Sequence, residues 1–197
     1  MRNCFTIEHF RLSPGNRQRL WPALAFLSCM GLSLPAIGSE NIFLKATCDG
    51  IVLTAGGSSV AGLTDHVELS SVHHDLMLPI NYSSEGPRPG RFEFGSLRVV
   101  KAVSPSSVGF LQVMANSVVC ESILVRHFMP TGEGMAEFWQ MELGDTLVGE
   151  RKHWTSAAEL PPHESLSFVP TSLRWTYIDN GKVAASYTWN FATNSGQ

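Results

Sequence analysis

Between Gly90 and Phe128 the chain reads GRFEFGSLRVVKAVSPSSVGFLQVMANSVVCESILVRHF, a strand, one short helix and a second strand in surroundings patterned almost wholly as β. Phe92 and Phe94, then Leu97 and Val99, alternate as a half-buried strand requires, and the period slips by one residue at Gly95-Ser96, which predicts a bulge. Ser104-Pro105 opens the helix, since the hydroxyl can cap free N–H groups and proline is tolerated at the first helical position. Val108, Leu111 and Ala115, joined by Phe110 and Met114, are predicted as its buried side. Gly109 weakens this helix by about 1 kcal/mol relative to Ala, so packing must hold it. Ser117 to Phe128 is apolar on both faces in its middle, as expected of a strand buried in a sandwich or barrel.

The flanks extend the β pattern. Asn41 to Cys48 alternates as a first strand, Asp49-Gly50 signals a turn, and Ile51 to Thr54 continues as β. Gly56-Gly57-Ser58-Ser59 is a turn cluster, and a second strand is predicted over His66 to His73. Leu78 to Pro89, with four Pro or Gly ladder-breakers, reads as a long exposed loop of the kind that carries contacts, here to another protein. Thr131-Gly132-Glu133-Gly134 is a hairpin, followed by a strand over Ala136 to Val148. A loop is predicted from Arg151 to Pro162. Leu166 and Phe168 share one parity and Leu173, Trp175 and Tyr177 the other, with Pro170 at the switch as a bulge or edge. Asn180-Gly181 is the sharpest turn signal, because a type I′ turn needs positive φ at both positions. The predicted fold is mainly β, a small barrel or sandwich of seven or more strands with one side helix at about 104–116.

Charge separates the first residues from the rest. Arg2, Arg11, Arg17 and Arg19 are offset only by Glu8, whereas Ser39 onward carries ten Lys and Arg against sixteen Asp and Glu, leaving −6 with histidines neutral. Such a surface repels phosphate backbones, and no basic stripe interleaved with aromatics reverses it, so nucleic acid is excluded as a partner. Leu20 to Ser39 is charge-free. A basic start, an apolar stretch of about 15 residues and a small-residue exit at Ala36-Ile37-Gly38 match an export signal, whereas a spanning helix wants roughly 20 strongly apolar residues. Residues 1–38 are therefore predicted as a cleaved leader, and 39–197 as one domain with no anchor after cleavage. Two alternatives stand beside this: lipidation at Cys29, or a true start at Met30, which would leave the protein cytoplasmic before secretion.

Removing the leader leaves Cys48 and Cys120. In an exported chain they either pair, stabilising by on the order of 4 kcal/mol, or remain two buried thiols. His73-His74-Asp75 has ligand chemistry, but adjacent strand residues face opposite ways, so no metal site is predicted. Gly57-Ser58-Ser59-Val60-Ala61 falls one residue short of a nucleophile elbow and lacks its strand-to-helix context. No phosphate-binding loop or dinucleotide fingerprint occurs. Glu159, Glu164 and Asp145 are carboxylates that only an assumed fold would gather. No catalytic residue and no cofactor is predicted. Trp154, following Arg151-Lys152-His153, suits a subunit contact, and Tyr82 and Arg88 occupy the other candidate contact loop.

From Ile42 to Phe191 the ordered set of segments resembles the Hcp family (haemolysin-coregulated protein), the tube subunit of type VI secretion systems. Ile42-Phe43-Leu44-Lys45 is similar to its opening strand, His66 to Val72 to its second, and Gly90 to Lys101 to the strand before the helix. Ser104 to Ser117 resembles the helix, and Ser122 to His127 the strand ending in a basic residue. Phe138 to Val148, His163 to Phe168 and Tyr187 to Phe191 are similar to the later strands. The resemblance implies a non-enzymatic subunit that assembles into a hexameric ring. Such rings stack into a tube and carry protein cargo or meet components of the secretion apparatus. The leader and the short Asp179 to Lys182 hairpin depart from the family. The leader implies a periplasmic or secreted location, and either departure keeps open an exported binding module that lacks tube assembly or, more distantly, a small exported hydrolase.

Overall fold

The computed structural model describes residues 40–132, 134–156 and 159–197; the predicted leader lies outside them. The chain begins with β1 (Asn41–Cys48), β2 (Ile51–Val52), β3 (Val67–Leu69), β4 (Ser71–Met77), β5 (Ile80–Ser83), β6 (Gly86–Pro89) and β7 (Glu93–Ala102). After α1 (Pro105–Ala115) come β8 (Cys120–Thr131), β9 (Gly134–Ser156), β10 (Glu159–Asp179), β11 (Lys182–Asn190) and β12 (Ser195–Gly196). Ten strands form one antiparallel sheet whose main path is β12-β11-β10-β9-β8-β1-β2, with β3 beside β1, β7 beside β10 and β4 beside β7. Strands β5 and β6 form a separate ladder.

The sheet does not close into a barrel. It folds over as a sandwich, because β9 and β10 are 23 and 21 residues long and pair from Ser156↔Glu159 to Trp139↔Tyr177. Along its other side β10 changes neighbour, pairing β7 through 163–168 and β11 through 172–179. Pro170 is buried at the gap between those neighbours. There its missing N–H costs no ladder bond, and the inward parity passes from Phe168 to Leu173. Side chains of β1, β8 and β9 (Leu44, Val125, Leu143) meet those of β7 and β10 (Val99, Leu166, Phe168) in one core.

Four sequence expectations change. The strand predicted over His66 to His73 is two strands. At Ser70, whose N–H donates to Val100 O (2.7 Å), the chain leaves β1 for β7. The predicted loop at Leu78 to Pro89 is the β5–β6 hairpin, and the one at Arg151 to Pro162 is mostly strand, the end of β9 and the start of β10. The buried stripe of α1 is Ser106, Ser107, Phe110 and Val113, with Phe110 against Phe168 (5.9 Å between ring centroids). Val108 is instead 70% exposed, and Leu111 also faces out. The helix is rotated toward its serines because they meet a buried charge, described below.

Two local signals hold as read. The bulge lies at Gly95-Ser96, since His74 pairs Leu97 while Leu76 pairs Phe94. Asn180 and Gly181 have φ of 50° and 73° and join Asp179 to Lys182. At the end of β1 the ladder with β8 slips by one residue, leaving Glu121 unpaired and setting Cys48 opposite Cys120. Their sulfurs are bonded, closing 72 residues of sequence separation. Glu121 Oε1 accepts from Gly50 N (3.0 Å), tying the β1–β2 turn to the same point.

Candidate assembly surface

The β5–β6 hairpin inverts the usual placement of side chains. Tyr82 is 84% exposed, and Met77, Leu78 and Ile80 are also open to solvent. The hairpin is a firm element all the same. Four residue pairs from Ile80↔Pro89 to Ser83↔Gly86 form its ladder, Gly90 N donates to Pro79 O (2.6 Å) at its base, and Arg88 pairs with Glu85 near its tip. Pro87 and Pro89 have no N–H to give, so in this ladder they fit only where the backbone nitrogen faces away from β5. The free edge of β6 is thereby poor in donors, which discourages strand addition there and leaves side-chain contact as the means of docking. Exposed apolar side chains on this ladder make it the candidate interaction surface.

The second predicted contact region lies where β9 turns into β10. Trp154 is partly exposed and stacks on His163 (6.2 Å, planes 18° apart). Arg151 sits on the same strand but turns inward: its Nε donates to Glu164 Oε2 (2.6 Å). Tyr82 and Arg88 thus share one hairpin, and Arg151 and Trp154 share the other.

Beneath Arg151 is a buried charge cluster that sequence reading passes over. Glu164 is 0% exposed and Lys101 1%, with Lys101 Nζ 2.9 Å from Glu164 Oε1. The ammonium donates to Ala102 O (3.1 Å), Ser104 Oγ (3.0 Å) and Ser107 Oγ (3.0 Å). Ser107 Oγ also accepts from Ser104 N (3.0 Å), which satisfies a free donor at the start of α1. Burial opposes the charge on Glu164, but its contacts with Ser107, Lys101 and Arg151 outweigh this and hold the carboxyl below its ordinary 4.5. Burial likewise lowers Lys101, with Glu164 pulling the other way. The cluster joins β7, α1, β9 and β10. Every charge in it is answered within the chain, so its chemistry is that of a seam rather than of a reactive site. The one sequence signal is Lys101 itself, a charge between the apolar pairs Val99-Val100 and Ala102-Val103.

Among the described residues, no three His, Cys, Asp or Glu side chains converge as a metal site. Nor is any helix there long and apolar enough to cross a membrane, which says nothing of crossing by strands.

The described residues thus define a β-sandwich protein with one side helix and an exposed apolar hairpin. The family model described as "Type VI secretion system effector, Hcp" matches residues 43–177, and the chain belongs to the Hcp family, whose members are structural tube proteins. Solved structures agree in fold. A type six secretion system protein superposes with a TM-score of 0.68 at 17% identity, covering 81% of this chain and 100% of its own. Hcp1 from Salmonella typhimurium gives 0.66 at 14% identity, covering 81% and 99%. The secreted protein Hcp3 from Pseudomonas aeruginosa gives 0.62 at 13%, covering 78% and 99%. A sequence search of the curated proteins finds no match.

Proposed function

We propose that this chain is a non-enzymatic, ring-forming subunit of a type VI secretion-type tube, and that the β5–β6 hairpin is its main assembly element. The family match over residues 43–177 carries the reading. The hairpin and the adjoining end of β4 add the physical means, since Ile80 and Tyr82 with Met77 are apolar surface that a second copy would cover. Tyr82, Arg88 and Trp154 supply contacts, and Arg151 holds the strand that carries Trp154 onto Glu164. The ring is hexameric and stacks, its lumen passes protein cargo, and the leader directs the subunit out of the cytoplasm. The Cys48–Cys120 bond suits an oxidising compartment.

Two experiments test this. Negative-stain imaging of the purified protein is expected to find six-fold rings; monomers at high concentration contradict the assembly reading. Sequencing the N-terminus of the natural protein is expected to begin near Ser39, and a first residue of Met30 removes the export step while leaving the ring intact.

A further inference from the structure

Residues 53–66, between β2 and β3, form neither sheet nor assembly surface, yet they cover part of the sheet. Their own turns hold them: Gly56 N donates to Thr64 O (2.7 Å), Leu63 N to Val60 O (3.0 Å) and His66 N to Leu63 O (3.0 Å). Thr54, fully buried, fastens the neck, its Oγ1 donating to Asp65 O (2.7 Å) and accepting from Ala46 N of β1 (3.2 Å). Leu63 packs with Phe43 and Phe128 in a small cluster apart from the main core, the two rings edge to face at 5.6 Å. Closure is tight, because a Cβ on Gly57 would lie 2.2 Å from Val67 Cγ1. The segment is a strap, and lifting it bares two aromatic rings.

The strap ends at His66, which is buried. Its Nδ1 lies 2.6 Å from Asp65 Oδ1. An ionised carboxylate only accepts, so Nδ1 carries the hydrogen and the neutral ring leaves a bare lone pair on Nε2. That Nε2 is buried and has no hydrogen-bond partner among the described residues. A second proton would sit there without an acceptor, facing repulsion from Arg126 of β8 and Lys45 of β1. The nearby carboxylates are already engaged: Asp65 pairs with Lys45, and Glu137 of β9 accepts two hydrogen bonds from Arg126 (2.8 and 2.6 Å) and one from Gln140 (2.7 Å). Burial thus prevails over the Asp65 hydrogen bond and holds the ring below its ordinary 6.5.

We propose that the strap over Phe43 and Phe128 is an acid-released latch, kept shut by neutral His66 and opened when that ring takes up a proton. An open strap lets His66 protonate at its ordinary pKa while the closed strap resists. Closure is therefore at full strength above 6.5 and is lost as the pH falls from there toward the lower value of the closed state. An assembled subunit moved into an acidic space would expose Phe43 and Phe128 without unfolding its sheet.

Hydrogen exchange on the full chain between pH 7.5 and pH 5, corrected for intrinsic rates, tests this. Amides of 53–66 are expected to lose protection at least tenfold (~) while those of β8 stay level. In His66→Asn, which keeps an amide donor toward Asp65 but cannot titrate, the strap should keep its protection across the range. A wild-type strap whose protection stays level, or falls only in step with β8, overturns the proposal, as does an unchanged acid response in His66→Asn. Should that variant not fold, NMR titration of the wild-type His66 ring decides. Protonation below 6.5 in step with strap opening supports the latch, and protonation at or above 6.5 with the strap closed overturns it.

Discussion

The β5–β6 hairpin and the seam of β7, α1, β9 and β10 follow opposite rules. In the seam, charged Lys101 and Glu164 lie in the core; in the hairpin, apolar Ile80 and Tyr82 lie in water. Both are costly placements. The seam meets its cost inside the chain, with Arg151, Ser104 and Ser107 answering each charge. The hairpin has no such answer among the described residues, and in the proposed assembly a second chain covers it. The seam should therefore govern folding and the hairpin assembly.

Breaking the seam tests the first half. Glu164→Gln leaves Lys101 and Arg151 facing an uncharged amide in a buried setting and should destabilise by about 3–5 kcal/mol, read by urea unfolding. Replacing both Cys48 and Cys120 by Ser should cost about 2–4 kcal/mol, with wild type under reducing denaturation approaching the same midpoint. Gly57→Ala should cost about 1–3 kcal/mol, since its methyl must displace Val67 Cγ1 and crowd His66 O, 2.8 Å from the new Cβ. Tyr82→Ser and Met77→Ser should move stability by less than about 0.5 kcal/mol, because the side chains they shorten are exposed. Loss of assembly without loss of stability in those two would sharpen the contrast. Stability loss as large as that of Glu164→Gln would erase it.

Acid separates the seam from the strap. Glu164 has a folded pKa below its ordinary 4.5, so its contribution is complete above 4.5 and is lost only as the pH falls further, through the lower value. The His66 strap begins to weaken below 6.5. Thermal unfolding followed between pH 7 and pH 3 should show the seam intact across the range in which strap amides already exchange.

Local chemistry was legible in the sequence wherever a single residue dictates backbone geometry. Ser104-Pro105 opens α1, Gly95-Ser96 is the bulge, and Asn180-Gly181 closes β10 onto β11. The spacing of apolar residues misassigns the buried face of α1, because Ser107 meets Lys101 of β7 and Ser106 meets it through Ser104, contacts that no local period reports. The hairpin reads as a loop in sequence because Pro87 and Pro89 look like ladder-breakers, and only the pairing shows that they can face its free edge. Arg151 looked exposed in sequence because Glu164, its partner across the β9–β10 ladder, lies thirteen residues on. His66 reads in sequence as an ordinary strand start, since nothing local signals an orphaned ring nitrogen.

The most direct measurement is the mass in solution of the purified protein beside its Tyr82→Ser and Met77→Ser double variant, each checked for an unchanged unfolding midpoint. A sixfold mass for the wild type and a folded monomer for the variant is the predicted result. A monomeric wild type, or a variant that assembles as well as the wild type, would contradict the assignment of the hairpin as the assembly element.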